Sequence, residues 1–387
     1  MPSAVCPTSG YGRVGAASDT FICRGIRDDG AVAATFEEFD GRVSRVHRDV
    51  VDLHFDLLLD LYERRVNRHE EIGVLGREFW QQLHDGGIGL VGAAVFLDDR
   101  YLPELALRVA IDQLALLHDE VAHDSRFAIC RNAAEIDAAR AEGRIGFLLT
   151  MEGVEPLGAD IHLLRAFHEL GVRCIGLTHV RRNLAGDGGL IAPSGSSPQG
   201  LSPFGLAVVD GCEDMGILID LAHLNPAGVE DVLARTRRPL VISHTNPRRF
   251  YDVERNSSDE QMLAVAERDG VVGISSVLLS PSPGGATAEA FVDQVAYVAE
   301  LIGIDHVGLG FDFFDFIYRA MLPQERVAFE QQLTTVHLPA DLLDHSHAPT
   351  ITRLLIERGF SDFDIAKILR QNWLRVLRSA DSARGTP

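Results

Sequence analysis

The segment His306 to Asp312 reads HVGLGFD, a short apolar run with two glycines that ends in a carboxylate. The segment Val50 to Asp56, VVDLHFD, is also largely apolar and ends in the same residue type, with a histidine two residues before it. Runs that stay apolar over several residues are typical of strands buried on both faces, as parallel strands under helices are. These two segments therefore predict parallel strands with polar side chains at their C-terminal ends.

Six further runs of this kind lie between these two, and amphipathic stretches such as Leu105 to Val121 and Thr287 to Ile302 alternate with them. Eight is the number of strands that closes a (β/α)8 barrel. We therefore predict an α/β fold with a (β/α)8 TIM-like barrel, although periodicity alone leaves an open doubly wound sheet as an alternative. The predicted strands are Val50 to Asp56, Gly89 to Leu97, Ile145 to Glu152, Cys174 to His179, Ile217 to Ala222, Leu240 to His244, Val271 to Ser275 and His306 to Asp312.

The 387 residues suit one barrel with helical extensions at both ends. We assign residues 1–49 to an N-terminal extension with one helix, residues 50–377 to a single catalytic domain, and residues 378–387 to a C-terminal tail. The stretch Pro349 to Leu377 reads as two helices. The segment Arg181 to Pro203 is rich in Gly, Ser and Pro, which predicts a loop over the rim of the barrel.

The composition excludes several classes of partner. A formal net charge of -20 disfavours nucleic acid, because affinity for phosphate depends on Lys and Arg. The N-terminal residues show no export signal, and no apolar segment is long enough to span a membrane. The five cysteines are scattered and odd in number, which predicts neither a disulfide framework nor a thiolate zinc site. We therefore expect a soluble cytoplasmic protein with no membrane or nucleic-acid partner.

Side chains that can bind metal stand at the ends of most predicted strands. A single buried histidine or aspartate more often has a structural role. However, the C-terminal ends of barrel strands meet at one mouth, so these side chains become neighbours there. Several unpaired buried charges are costly, and a shared cation would compensate them together. The residues are His54, Asp56, Glu152, His179, His223, His244 and Asp312.

Imidazole and carboxylate ligands without thiolate suit zinc, with manganese and iron as alternatives. Two ions bridged by one carboxylate fit this set, and Glu152 is the natural bridge. Related binuclear barrels use a carbamylated lysine at a strand end instead. That arrangement is excluded, because the only lysine is Lys367 in the C-terminal region.

From Val50 to Leu377 the sequence resembles the membrane (renal) dipeptidase family of zinc peptidases, in particular its soluble bacterial members. The departures are small: Phe55 stands where Asn is commoner, and Ala222 stands where Ser is usual. The matching motifs are His54-Phe55-Asp56, Glu152-Gly153, Leu177-Thr178-His179, Asp220-Leu221-Ala222-His223, Ser243-His244-Thr245, Arg255-Asn256 and Gly308-Leu309-Gly310-Phe311-Asp312.

The resemblance implies a barrel of the metal-dependent amidohydrolase type that holds two zinc ions per chain. His54 and Asp56 would bind one ion, and His223 and His244 the other. Glu152 and a hydroxide would bridge them.

The resemblance also implies roles for three further side chains. Asp312 would lie beside the first ion, take the proton of the attacking water and pass it to the departing amine. His179 would bind substrate and stabilise the oxyanion. Arg255 would bind the substrate carboxylate. From the sequence alone, a surface ion pair of Arg255 with Asp259 or Glu260 is as good an interpretation.

The activity implied is hydrolysis of small dipeptides, including those with a D-residue at the C-terminal position. One alternative keeps the metals but acts on another small amide, such as an N-acyl amino acid, a lactam or a peptide conjugate from a biosynthetic pathway. A metal-binding protein without turnover is the other. A homodimer is compatible with the sequence. We expect Phe55, Phe311 and Phe313 to lie at the pocket, and His345 and His347 to be solvated.

Overall fold

Nine parallel strands form a single sheet in the computed structural model, which describes residues 36–189, 199–321, 326 and 336–382. Residues 190–198 of the predicted rim loop, residues 1–35 of the N-terminal extension and residues 383–387 of the tail lie outside the described residues. The strands are β1 (Val50–Phe55), β2 (Ile88–Val95), β3 (Phe127–Ile129), β4 (Ile145–Glu152), β5 (Val172–Gly176), β6 (Leu218–Asp220), β7 (Val241–Thr245), β8 (Val271–Ile274) and β9 (Val307–Leu309).

Eight of these strands close into a barrel. Their order is β2-β1-β9-β8-β7-β6-β5-β4, and β4 pairs back onto β2. That closing pair runs in unbroken register from Leu90 opposite Gly146 to Val95 opposite Met151. The predicted (β/α)8 barrel is therefore confirmed, and the open sheet is excluded.

The ninth strand, β3, was not predicted. Its three residues pair with the first half of β4, from Phe127 opposite Ile145 to Ile129 opposite Phe147. The second half of β4 pairs with β5, from Leu149 to Glu152. The apolar run at β3, Phe127 to Cys130, lies at the lower limit of the four to eight residues that usually signal a strand.

The helices cover the outside of the barrel and its N-terminal end. The described helices are α1 (Phe36–Val46), α2 (Leu57–Tyr62), α3 (Trp80–Asp85), α4 (Ala106–His123), α5 (Ala133–Ala141), α6 (His162–Leu170), α7 (Pro203–Met215), α8 (Pro226–Arg235), α9 (Asp259–Ala266), α10 (Ala288–Ile302), α11 (Asp315–Ala320), α12 (Ala348–Glu357), α13 (Asp362–Ala366) and α14 (Asn372–Ser382). Of these, α4 and α10 correspond to the helices predicted at Leu105 to Val121 and Thr287 to Ile302.

Local sequence explains where these helices begin and which side they bury. The hydroxyl of Thr287 accepts a hydrogen bond from the backbone N of Ala290 at 3.1 Å, which caps α10. Ser258 and Gln261 form a reciprocal capping box at the start of α9. Along α10, Val295 and Val298 lie on the buried face. Among the described helices, none has the length and apolar character needed to cross a bilayer.

The last helix closes the end of the barrel at which the strands begin. A π-helical turn, Lys367–Gln371, joins α13 to α14, and the helix continues past Leu377 to Ser382. The indole N–H of Trp373 donates to the carbonyl of Leu309 at 2.9 Å. Trp373 and Leu377 pack in one apolar cluster with Val271, the first residue of β8. The opposite end, where the strands finish, is the mouth.

Candidate active site

The residues predicted for the site are brought together at this mouth. His54 and His244 lie within β1 and β7, and Glu152 is the last residue of β4. The others lie on the segments that follow strands rather than on the strands themselves. These are Asp56 after β1, His179 after β5, His223 after β6, Arg255 after β7 and Asp312 after β9.

Glu152 lies at the centre of the group. Its Oε1 is 2.9 Å from Nε2 of His223 and 3.5 Å from Nε2 of His244. The same oxygen is 3.7 Å from Nε2 of His54. One carboxylate oxygen therefore faces imidazoles from three different strand ends, as a bridging ligand would.

Aspartates complete the group on the side of β1. Nε2 of His54 is 3.7 Å from Oδ1 of Asp56 and 3.9 Å from Oδ1 of Asp312. Oδ2 of Asp312 is 3.9 Å from Nε2 of His244. Three sets of side chains each have ligand atoms within 4.8 Å of one another. Because the sets share residues, the division of the ligands between two ions stays a prediction. The sets are His54, Glu152 and His244; Glu152, His179 and His223; and His54, Asp56 and Asp312.

The side chains of this group fit divalent cations. Nε2 of His54 and Oδ1 of Asp56 are buried and make no hydrogen bond within the described residues. Burial raises the pKa of Asp56, and the charge of Glu152 adds to the shift. Burial and the charge of Asp312 likewise raise the pKa of Glu152 well above its ordinary range. Clustered buried carboxylates are stabilised when a cation or a proton neutralises them.

Burial favours the uncharged form of the histidines in this group. Burial, followed by the positive charge of Arg255, lowers the pKa of His54 to about 3. Burial also lowers the pKa values of His179, His223 and His244 well below the usual value. Neutral imidazole carries the lone pair that a metal ion requires.

Two of these residues adopt a backbone conformation that L-residues rarely use. His223 has φ of +64° and Asp312 has φ of +58°. The left-handed region costs a non-glycine residue on the order of 1 kcal/mol, and such residues cluster at functional sites. The carbonyl of His223 accepts from the hydroxyl of Thr178 at 3.3 Å, and the N–H of Asp312 donates to the carbonyl of His54 at 3.4 Å. These bonds help to hold the two conformations.

Asp220 and Ser243 orient His244. Oδ1 of Asp220 accepts from the backbone N of Ser243 at 2.8 Å and from that of Ala222 at 2.9 Å. The hydroxyl of Ser243 lies 2.7 Å from Nδ1 of His244. Because Nδ1 is engaged in this way, Nε2 is directed at Glu152.

Arg255 is buried beside the carboxylates and is not a surface residue. One of its terminal nitrogens donates to the carbonyl of His244 at 3.1 Å. Its side chain therefore belongs to the site, and the alternative of a surface ion pair with Asp259 or Glu260 is wrong. Asp259 instead accepts from the hydroxyl of Tyr297 at 2.7 Å.

Phe96 belongs to the mouth and was not predicted there. The centre of its half-buried ring lies 4.8 Å from that of the His179 ring. The guanidinium of Arg181 lies 5.5 Å from the centre of the Phe96 ring. Arg181 also donates to the carbonyl of Leu97 at 2.9 Å. An aromatic residue just after β2 has no sequence signal of its own, because it only extends the apolar run.

The expectations for the other aromatic residues and for His345 were wrong. The rings of Phe55, Phe311 and Phe313 are buried in the core and do not line the mouth. They surround His345, which is wholly buried, whereas His347 is partly exposed as expected. The chain after the barrel returns to the back of the site, and no local pattern reveals that packing.

Relatives with similar sequences are dipeptidases. The chain is 28% identical over 277 residues to Dipeptidase verJ of Clonostachys rogersoniana, an alignment that covers 71% of this chain and 66% of that protein. It is 29% identical over 329 residues to Dipeptidase aclJ of Aspergillus oryzae, which covers 82% of this chain and 72% of the relative. The chain thus spans just under two thirds of the first relative and rather more of the second.

A similar solved structure is a metallo peptidase from Rhodobacter sphaeroides liganded with a phosphinate mimic of the dipeptide L-Ala-D-Ala. It is 25% identical in sequence, with a TM-score of 0.73 over 86% of this chain and 99% of that one. The profile of the membrane dipeptidase family, peptidase family M19, matches residues 42–335. With this match over most of its length, the chain belongs to the membrane dipeptidase family of metallopeptidases.

Proposed function

We propose that this protein is a two-metal dipeptidase that hydrolyses the amide bond of small dipeptides, including those with a D-residue at the C-terminal position. The observation that carries the proposal is the convergence of three imidazoles on one oxygen of Glu152, with Asp312 and Arg255 beside them. The dipeptide mimic bound by the Rhodobacter sphaeroides relative supports a substrate of this class.

The ligands of the two ions would be His54 and Asp56 for one, His223 and His244 for the other, and Glu152 for both. Nitrogen and oxygen donors without thiolate suit zinc, and other divalent metals accept the same set. Two such cations would supply a bound water of lowered pKa and polarise the scissile carbonyl.

Asp312 is the proposed general base. In the metal-free protein, burial and the charge of Asp56 raise the pKa of Asp312 well above its usual value. Its two oxygens lie 3.9 Å from Nε2 of His54 and of His244, at the edge of the ligand group. Asp312 would take the proton of the attacking water and release it to the departing amine.

His179 and Arg255 are the proposed substrate-binding residues. Because burial keeps His179 neutral, one ring nitrogen carries a hydrogen that can be donated to the carbonyl oxygen as negative charge develops there. Arg255 presents a planar fork of N–H donors that matches a carboxylate. Its burial strengthens that attraction, because the effective dielectric constant around it is lower than that of water.

A substrate panel tests this proposal. Metal-free protein would be reconstituted with zinc and offered L-L and L-D dipeptides, their C-terminal amides, N-acetyl amino acids and a lactam. We expect free dipeptides to be cleaved fastest, and their amides on the order of 100-fold more slowly, because the amides lack the carboxylate. Cleavage of the N-acetyl amino acids or the lactam alone would replace the dipeptidase proposal with the other amides.

A further inference from the structure

Asp52 and His345 form a buried hydrogen-bonded pair behind the mouth. Nε2 of His345 lies 2.7 Å from Oδ2 of Asp52, and both side chains are 0% exposed. Because a carboxylate can only accept, the imidazole is the donor. His345 lies beyond residues 42–335, the part of the chain that matches the family profile.

The other oxygen of Asp52 connects the first and last strands in the sequence, β1 and β9, which are neighbours in the barrel. Oδ1 accepts from the backbone N of His54 at 3.3 Å and from that of Phe311 at 2.9 Å. His54 is a proposed metal ligand, and Phe311 directly precedes Asp312. One carboxylate thus connects the backbone of β1 with the segment after β9, where Asp312 adopts its left-handed conformation.

Packing fixes the orientation of the His345 ring. The ring centres of Phe55 and Phe313 lie 4.6 and 5.0 Å from it, at interplanar angles of 83° and 80°. The backbone of His345 is equally constrained, because a Cβ added to Gly86 would lie 2.1 Å from its carbonyl oxygen. The imidazole therefore reaches Asp52 in one arrangement set by its surroundings.

We propose that His345 is a positioning residue for the metal centre, acting through Asp52 on the backbone N–H groups of His54 and of Phe311, the residue before Asp312. This inference rests on the proposed two-metal dipeptidase. Removal of the donor leaves Oδ2 of Asp52 buried without its partner, which favours rotation of the carboxylate away from the two N–H groups. His54 and Asp312 would then lose their alignment, whereas His223 and His244 belong to other strands and would keep theirs.

The test compares His345→Met with His345→Gln. The two replacements have similar length, but only glutamine keeps an N–H donor that can reach Asp52. Methionine also adapts to apolar surroundings, which favours a folded variant; His345→Leu gives the same comparison if His345→Met does not fold. The control is His306→Met, because Nδ1 of His306 lies 2.9 Å from the carbonyl oxygen of Gly270, at the end of the barrel where the strands begin, and does not contact Asp52.

Two readouts are measured for each folded variant: release of the two zinc ions to a chelator, and kcat and KM for a dipeptide. In His345→Met we expect one ion to leave about 10 to 100-fold faster, kcat to fall by a similar factor and KM to stay within about threefold. His345→Gln should lie within about threefold of the unaltered protein. Unchanged release and kcat in folded His345→Met, or the same losses in His306→Met, would overturn the proposal.

Failure of the proposed function is distinguishable from failure of this inference. If the unaltered protein binds zinc but cleaves no dipeptide, the substrate proposal fails. Ion release still decides the role of His345 in that case, because it is measured without substrate. Faster release of one ion in His345→Met alone supports the positioning role, and unchanged release overturns it.

Discussion

The Nε2 atoms of His223 and His244 lie 2.9 Å apart, and both face Oε1 of Glu152. Both rings are buried, and burial lowers both of their pKa values. Two lone pairs and a carboxylate oxygen at such distances repel one another unless a proton or a cation lies between them. The folded chain therefore holds these groups in an arrangement that metal binding stabilises.

Metal should raise the stability of the protein measurably. An ion present at 100 times its dissociation constant adds about 2.7 kcal/mol to the free energy of unfolding, provided that it binds only the folded state. We expect the thermal midpoint of metal-free protein to rise by several degrees on addition of zinc. His223→Ala should show a smaller rise, and the exposed control His123→Ala the full one. An equal rise in all three proteins would contradict a site at His223.

Asp312→Asn should retain both ions and lose most turnover. The amide keeps the size of the side chain but cannot accept the proton of the attacking water, and a general base contributes about 100 to 10,000-fold to the rate. The matched control is Asp315→Asn, a nearby aspartate paired with Arg319. Steady-state kcat and the bound metal content would be measured together. A kcat near that of the unaltered protein would remove Asp312 from the proposed role.

Arg255→Met should reduce the preference of the enzyme for substrates with a free C-terminal carboxylate. We expect kcat/KM for a free dipeptide to fall about 100-fold, because a buried hydrogen-bonded charge pair contributes on the order of 2 to 3 kcal/mol. The rate for the corresponding dipeptide amide should change far less. Arg375→Met is the control, because Arg375 donates to the carbonyls of Asp269 and Asp305, at the end of the barrel opposite the mouth. Equal losses on both substrates would assign Arg255 a structural role.

Acid should destabilise the metal-free protein through His54. The pKa of His54 is lowered by burial to about 3 in the folded state, against 6.5 for an ordinary histidine. The folded state therefore binds this proton less readily than the unfolded state. The contribution of His54 to the free energy of unfolding is complete above pH 6.5 and is lost as the pH falls towards 3. Between pH 7 and 4.5 we expect a loss of about 1 to 3 kcal/mol from this residue.

Urea unfolding of metal-free protein and of His54→Gln at the two pH values measures this loss. The variant lacks the imidazole but keeps the neighbouring carboxylates, so the difference between the two pH dependences isolates His54. An identical pH dependence in both proteins would show that His54 does not carry the effect.

The barrel and the location of the site could be predicted because both depend on local pattern. Apolar runs ending in polar residues mark the strands, and barrel geometry then brings His54, Glu152 and Asp312 together. The strand β3 could not be predicted, because its apolar run is only four residues long. The ring of Phe96 could not be assigned to the mouth, because a single aromatic side chain forms no period. The left-handed backbone of Asp312 also has no signature in the sequence.

His345 shows the limit of such reasoning most clearly. Its neighbours in the sequence, Asp344 and Ser346, are polar, so the segment reads as exposed. Its burial results from contacts with Asp52 and with Phe55, which lie almost 300 positions earlier in the chain. Packing between such distant residues depends on the completed fold and has no local pattern.

The central claim is that these side chains form one two-metal centre that cleaves dipeptides, and a titration tests it most directly. Zinc would be added in steps to metal-free protein while dipeptide hydrolysis and bound metal are recorded. We expect activity to rise until two ions are bound per chain, and His223→Ala to bind one ion with little activity. Full hydrolysis by metal-free protein, or two bound ions in His223→Ala, would contradict the claim.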